Sequence, residues 1–318
     1  MSEAQEIYRD WVAQKSDVPI FFQAWWLDIM CKDPSNWDVI LIRNPKDQRV
    51  EGIFTYYQKH RLGIRGIDMP PLTPMMGPLI FLPDGIQKKH SIHSYEIRVL
   101  KKIIEQLPNP PFFKQKWSWQ LTNHLPFYWE DYRIQTNYTY LFSDLSDLDF
   151  IWNSFANNIR GRIKQKSKQF DIIIPNDASR LFQLQQQRLE AQKITMPISE
   201  DQLEKLYTTI TKKTAGTIFE ARTHNGETAA AIMIVCDQQE AYLLLSAYGK
   251  GGKSGAMPVL IWHAIKTFSA RVKRFNFEGS MLPGVEQFFR AFGAELTPYY
   301  QLSKLNIPLL DKWFKKLG

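Results

Sequence analysis

The clearest hydrophobic pattern in the chain lies between residues 226 and 302. Residues 228–235 and 241–247 are apolar runs flanking the polar turn 236–240, which predicts a hairpin of two well-buried strands. A glycine-rich loop follows at 249–255. Behind it Leu260, Ile261, Ala264, Ile265 and Phe268 recur at helical spacing, and Pro258 sits in the first turn, where its missing N–H costs little. At 274–278, Phe275 and Phe277 alternate with polar residues, as in a half-buried strand. Pro283 opens another helix carrying Val285, Phe288, Phe289 and Phe292, and Gly293 is placed to close it in a left-handed cap. The predicted order is strand, strand, glycine loop, helix, strand, helix, strand.

The first half repeats this plan loosely. The pattern predicts an aromatic-rich helix over 19–32, strands over 37–43 and 50–57, a short strand near 62–68 and a stiff proline-rich loop over 69–83. An amphipathic helix over 90–107 and strands over 116–121 and 133–142 follow. We place the boundary at 144–146, giving domains 1–145 and 146–318. Ser146 with Asp149 reads as a capping box before the next helix. There Phe155, Ile159 and Ile163 form one stripe. Arg160, Lys164 and Lys168 recur at i+4 on another face, with Arg162 and Lys166 flanking the apolar stripe. A row of cations at that spacing suits a phosphate chain, or simply a solvated face. Helices over 179–193 and 200–213, parted at Pro197, lead to a strand at 217–222.

Composition narrows the partners. With 318 residues and 44% hydrophobic content, the chain can hold two cored domains. A net charge of +8 favours an anionic partner such as a nucleotide, coenzyme A, tRNA or a phospholipid-linked precursor. A DNA partner is not expected. No apolar run approaches the length of a membrane span, and the polar start of the chain does not read as a secretory signal. The tail 309–317 is short, basic and amphipathic, a weak sign of a membrane surface. Cys31 and Cys236 are far apart in unlike contexts. Both read as free thiols of a reducing, cytoplasmic compartment, with no metal spacing. His90, His93 and Glu96 share a helix, but imidazoles so placed more often face water than bind metal.

The loop 247–254 (AYGKGGKS) fits a relaxed nucleotide phosphate-loop pattern, with Gly252, Lys253 and Ser254 at its end. Against NTP hydrolysis stand the antiparallel hairpins before it, the short stretch of chain after it, and the lack of a later strand ending in a magnesium-holding aspartate.

The element order, and above all FNFEGSMLPGVEQFFRAFGAEL at 275–296, resembles the GNAT acyltransferase superfamily. More narrowly it is similar to the Fem-type (FemAB) branch, peptidyltransferases also called methicillin-resistance factors. Segments 21–42, 126–149 and 157–172 extend the likeness over most of the chain. The resemblance implies an α/β fold of two tandem GNAT-like domains with mixed, mainly antiparallel sheets flanked by helices. The first domain would stand on the acceptor side and the second on the donor side. It implies an acyl- or aminoacyl-transferase acting on an amine, the acceptor being a small molecule or a cell-wall precursor. The donor would be an acyl-CoA or an aminoacyl-tRNA, its phosphates held at Gly249, Gly251, Gly252, Lys253, Ser254 and Gly255. Its acyl chain would lie between the strands 241–248 and 274–278. The usual coenzyme A signature is not matched, since Ser246 stands where Arg or Gln belongs, and the helices over 179–213 are short beside a Fem-type coiled-coil arm. On this reading Glu278 is the candidate base and Tyr248 the proton donor to the leaving group. Arg160 and Lys164 bind phosphate or carboxylate, and Trp25 and Trp26 line the acceptor site. A non-catalytic GNAT-like binding protein is the alternative, and a blocked seam between those two strands would favour it.

Overall fold

The computed structural model describes residues 2–61, 64–249, 255–279 and 281–306, with the side chains of residues 60 and 61 left aside. It divides into two compact units. Of the described residues, 2–15, 21–137 and 298–306 form the first, and 16–20 and 138–297 the second. The sequence reading instead split the chain at 145/146 and kept the last strand with the second half.

The first unit opens with α1 (Glu3–Ala13), which the sequence reading did not identify. Ser2 and Gln5 form a reciprocal capping box at its start. The apolar stretch expected as one helix breaks into a 3-10 turn at Ile20–Phe22 and α2 (Ala24–Met30). The strands β1 (Trp37–Arg43) and β2 (Val50–Arg61) form the expected antiparallel hairpin, and β3 (Ile64–Asp68) pairs along the end of β2. The proline-rich stretch is not all loop: β4 (Gly77–Ile80) lies in it and pairs with β2. Then come α3 (Lys89–Gln106), β5 (Phe112–Lys116) and the short α4 (Leu125–Trp129). The strand expected at 116–121 thus ends where it was to begin. The core gathers Phe54, Val99, Leu100, Ile103, Phe113, Trp117 and Phe127, all 2% exposed or less. Each such burial contributes roughly 2 kcal/mol.

The strand β6 (Arg133–Phe142) carries the chain into the second unit. The next helix is split into α5 (Leu148–Ser154) and α6 (Asn157–Lys166), and its N-cap is Asp147, accepting from the Phe150 N–H at 2.8 Å, rather than Ser146. β7 (Phe170–Ile173), α7 (Ser179–Glu190) and α8 (Glu200–Lys212) follow. Ser199 caps α8 through the Gln202 N–H, with Glu200 and Asp201 favourably placed in its first turn. The strands β8 (Gly216–Thr223), β9 (Thr228–Cys236) and β10 (Glu240–Tyr248) form an antiparallel meander. β9 is buried at every position, as a strand covered by helices on both faces must be. After β10 come α9 (Ala256–Phe268), β11 (Arg274–Asn276) and α10 (Pro283–Arg290). Strand order in this unit is β6-β11-β10-β9-β8-β7. The last strand, β12 (Glu295–Leu305), returns to the first unit and pairs antiparallel with β5. Both units are mixed α/β, with mainly antiparallel sheets flanked by helices. Among the described residues no helix is long and apolar enough to cross a membrane.

Candidate functional site

The centre of the second unit's sheet is a fork. β10 and β11 run parallel through Glu240–Arg274, Ala241–Phe275 and Tyr242–Asn276, and there their register ends. Beyond that point β10 stays laddered to β9 as far as Tyr248 and Ala230. The continuation of β11 stays with β6, the Phe277 N–H donating to Tyr140 O at 3.0 Å. The two central strands therefore part, each held by its outer neighbour. A register shift between Leu243 and Leu245 puts a bulge in β10 at the fork, which takes backbone groups there out of the ladder.

A buried polar network pins the root of the fork. The Thr139 hydroxyl donates to Asn276 Oδ1 at 2.6 Å, and Asn276 Nδ2 donates to Glu240 Oε1 at 2.8 Å. Arg274 Nε donates to the other Glu240 oxygen at 3.1 Å. Burial raises the Glu240 carboxyl above its ordinary range, against the pull of Asn276 and Arg274. Glu278 hangs from this network: its N–H donates to Asn276 Oδ1 at 2.9 Å, and its φ of +50° turns the chain out of the strand line. A left-handed non-glycine residue costs about 1–2 kcal/mol, so the conformation is imposed by its surroundings. Next to it, the Gly279 N–H donates to Thr139 Oγ1 at 2.9 Å, and a Cβ at 279 would come within 2.5 Å of Thr139 Cα. Glycine is required there by the approach of β6.

The other arm of the fork ends at Tyr248, 44% exposed. Partial burial raises its hydroxyl above the ordinary tyrosine value, opposed by the nearby Arg162. Gly249 continues the ladder, donating to Ala229 O at 2.9 Å, and a Cβ there would collide with Thr228 O. Its glycine thus answers a close approach to β9. Gly255 is the N-cap of α9 with φ of +102°, and a Cβ on it would sit 3.0 Å from Lys166 Cγ and 3.9 Å from Arg162 Cβ. The start of α9, with its unsatisfied backbone N–H groups, therefore packs against the side-chain stems of Lys166 and Arg162 from α6. α6 is fixed in turn by the stretch after α10. Ala156 N–H donates to Ala291 O at 2.9 Å, the Ser154 hydroxyl to Phe292 O at 3.1 Å, and Gly293, left-handed at φ +75° as expected, packs against Ser154 O.

The other candidate residues fall as follows. Gly251, Gly252, Lys253 and Ser254 lie outside the described residues. Arg160 is turned onto Asn153 and Asn157, at 3.3 and 2.5 Å, and Lys164 lies over the Trp152 ring at 5.9 Å. Trp26 is 0% exposed and its Nε1 donates to Thr73 Oγ1 at 3.0 Å. This corrects the expectation that it lines an acceptor site: it is core of the first unit. Trp25 is half-buried, edge-on to Trp26 at 5.9 Å. The sequence reading favours the more regular row at 160, 164 and 168, whereas the basic residues packed against Gly255 are Arg162 and Lys166. The signal for them was their position three residues after each buried isoleucine, Ile159 and Ile163. On a helix that places them at the edge of the buried stripe, where side chains reach neighbouring elements.

Comparisons with known proteins bear on the fold that carries these residues. Residues 153–290 match the family model described as acetyltransferase (GNAT) domain. Among solved structures of similar fold is FemX, at 11% identity, a TM-score of 0.64 and coverage of 94% of this chain and 96% of that one. L-PGS from Bacillus licheniformis follows at 13% identity and a TM-score of 0.51, covering 87% of each chain. The C-terminal domain of a protein assigned as a lysylphosphatidylglycerol synthetase from Agrobacterium fabrum has 10% identity and a TM-score of 0.52, covering 84% of each. No curated protein matches by sequence.

Proposed function

Proceeding from a GNAT domain over residues 153–290 in a chain with the fold of FemX, we propose that this protein is an acyl- or aminoacyl-transferase that acylates an amine. The observation that carries the reading is the fork after Tyr242 and Asn276 beside a helix start flanked by Arg162 and Lys166. The seam parts where a binding-only protein would be expected to keep it shut.

The donor's phosphates lie at Gly255 and the first turn of α9, paired with Arg162 and Lys166, as anions are favoured at helix N-termini. Its acyl group enters between β10 and β11, where backbone groups released by the bulge hydrogen-bond the reacting carbonyl oxygen. The amine nitrogen attacks the acyl carbon and loses a proton to Glu278, directly or through one water. The bond to the carrier breaks, and Tyr248, kept protonated by its raised pKa, gives its proton to the leaving thiolate or ribose oxygen. The products are an amide and the free carrier. The likeness to FemX and to L-PGS supports an aminoacyl-tRNA as donor beside acyl-CoA, and the unmatched signature at Ser246 points the same way. The Fem-type resemblance makes a cell-wall precursor the favoured acceptor, and two buried free thiols fit a cytoplasmic protein.

The test is ligand-induced stabilisation with coenzyme A, acetyl-coenzyme A, magnesium-ATP and deacylated tRNA. Stabilisation by either coenzyme A species or by tRNA supports transfer and names the donor class. Stabilisation by magnesium-ATP alone would replace the reading with nucleotide hydrolysis, and silence from all four would sink it.

A further inference from the structure

Away from the fork, the second unit carries a half-open pocket of about 560 Å³ lined by Arg180, Leu184 and Gln187 of α7, Arg222 of β8, and Gly226, Glu227 and Thr228 of the turn into β9. Its charges are sorted. Arg222 is fixed by Glu220, which is 0% exposed: Nε and Nη2 both stand 3.0 Å from Glu220 Oε2, and the Thr228 hydroxyl donates to the same oxygen at 3.3 Å. Glu220 neutralises Arg222 from behind while the 41% of that side chain still exposed is left to the cavity. Arg180, in the first turn of α7, brings a second guanidinium, with a single long contact to Gln183 Oε1 at 3.4 Å. Glu227 adds an acidic residue to the same lining. Its backbone is locked in the turn by the Thr223 N–H donating to Glu227 O at 2.8 Å and the Glu227 N–H to Thr223 Oγ1 at 3.2 Å.

We infer that this cavity is a second ligand site, for a small molecule carrying a carboxylate and an ammonium group, as an amino acid does. The carboxylate is taken by Arg180 and Arg222, whose forked donors match its geometry, and the ammonium by Glu227, with Gln187 free to hydrogen-bond the remainder. A plain anion fits less well. Glu220 and Glu227 offset the two arginines and Asp177 also acts on Arg222, so the surroundings carry no excess of positive charge and favour a zwitterion over a dianion. The volume holds such a ligand with room for a side chain against Leu184. Thr228 is also the residue whose carbonyl abuts Gly249, so the site borders the loop before α9 without sharing its residues.

The inference is tested by calorimetric titration of the intact protein, without any acyl donor, using glycine, L-alanine, L-serine, L-lysine and L-glutamate, their C-terminal amides, and inorganic phosphate. At least one amino acid should bind, and its amide should bind at least tenfold more weakly. Arg180→Gln, which breaks no buried pair, should weaken binding about tenfold and leave the melting temperature unchanged. Glu227→Gln should weaken the amino acid while sparing phosphate. Silence from all five amino acids, equal binding of acid and amide, or phosphate binding as tightly as the best amino acid would each overturn the inference. None of these outcomes depends on the donor reading, which is judged on coenzyme A and tRNA with Arg162 and Lys166.

Discussion

Each unit contains a strand, a loop, a helix and a strand parallel to the first, yet only one of them opens its sheet. In the first unit the series is β3, the stretch 69–83, α3 and β5, with Ile67 opposite Phe113. In the second it is β10, the stretch 249–255, α9 and β11. The connections differ in bulk. In the first unit the chain folds back over the seam. The Met76 N–H donates to Lys116 O at 2.8 Å, the Lys116 N–H points at Met69 Sδ at 3.3 Å, and Trp26 holds Thr73. Trp117 lies so close over Gly77 that a Cβ there would be 2.5 Å from its ring. In the second unit β10 and β11 simply part, and α6 brings the stems of Arg162 and Lys166 against Gly255 at the helix start. The same plan yields a plugged core where the connection carries prolines, methionines and a tryptophan partner, and a parted pair of strands where the connection is glycine-rich in sequence.

The contrast can be broken first at the fork. Glu278→Gln keeps the shape and removes the proposed base, so amide formation should fall about 100- to 10,000-fold with donor affinity unchanged, measured by steady-state kinetics. Full activity in that variant would remove Glu278 from the mechanism. Next, Arg162→Ala with Lys166→Ala removes the two proposed charge-assisted contacts to the donor, worth about 1.5 kcal/mol each. Donor affinity should drop roughly 100-fold, while Arg160→Ala with Lys164→Ala, whose heads engage Asn153, Asn157 and Trp152, should change it less than threefold.

A change on the plugged side should act on stability alone. Gly77 has φ of +97° and no room for a Cβ, so Gly77→Ala should cost about 2 kcal/mol or more in denaturant unfolding without altering donor affinity. The smallest effect is electrostatic. Burial lifts the Cys236 thiol from 9.0 to about 11. The folded state resists its ionisation, so this thiol costs nothing at pH 7. Stability is lost as pH rises from 9 towards 11, because the unfolded chain gives up the proton first. Cys236→Ser should flatten that alkaline loss, and in the wild type the thiol should resist alkylation at pH 8 until the chain is unfolded.

How much of this was legible in sequence follows from what each signal measures. Continuous apolar runs located β9 and β10 and helical spacing located α9 and α10, because burial writes itself directly into the pattern, and Gly293 is left-handed as expected, though it lies just beyond Ala291, the residue that caps α10. The resemblance carried the fold. Local features set by tertiary contact were missed: β4 forms because β2 offers it an edge despite the prolines, and the helix after 146 breaks because Ala156 and Ser154 bond to the end of α10. The site was half legible. Glu278 and Tyr248 fall on the two arms of the fork, but the regular row 160, 164 and 168 looked more like a phosphate ladder than the pair beside the buried stripe. Only the packing of α6 against Gly255 distinguishes them.

The central claim, that the fork and the α6 pair hold an acyl carrier, is tested most directly by one titration. Wild type and the Arg162→Ala, Lys166→Ala variant are followed by thermal stability against coenzyme A and deacylated tRNA. The account predicts that one of the two raises the wild-type midpoint and that the variant, folded and equally stable alone, loses the shift. A wild type unmoved by both carriers, or a shift that survives in the variant, would contradict it.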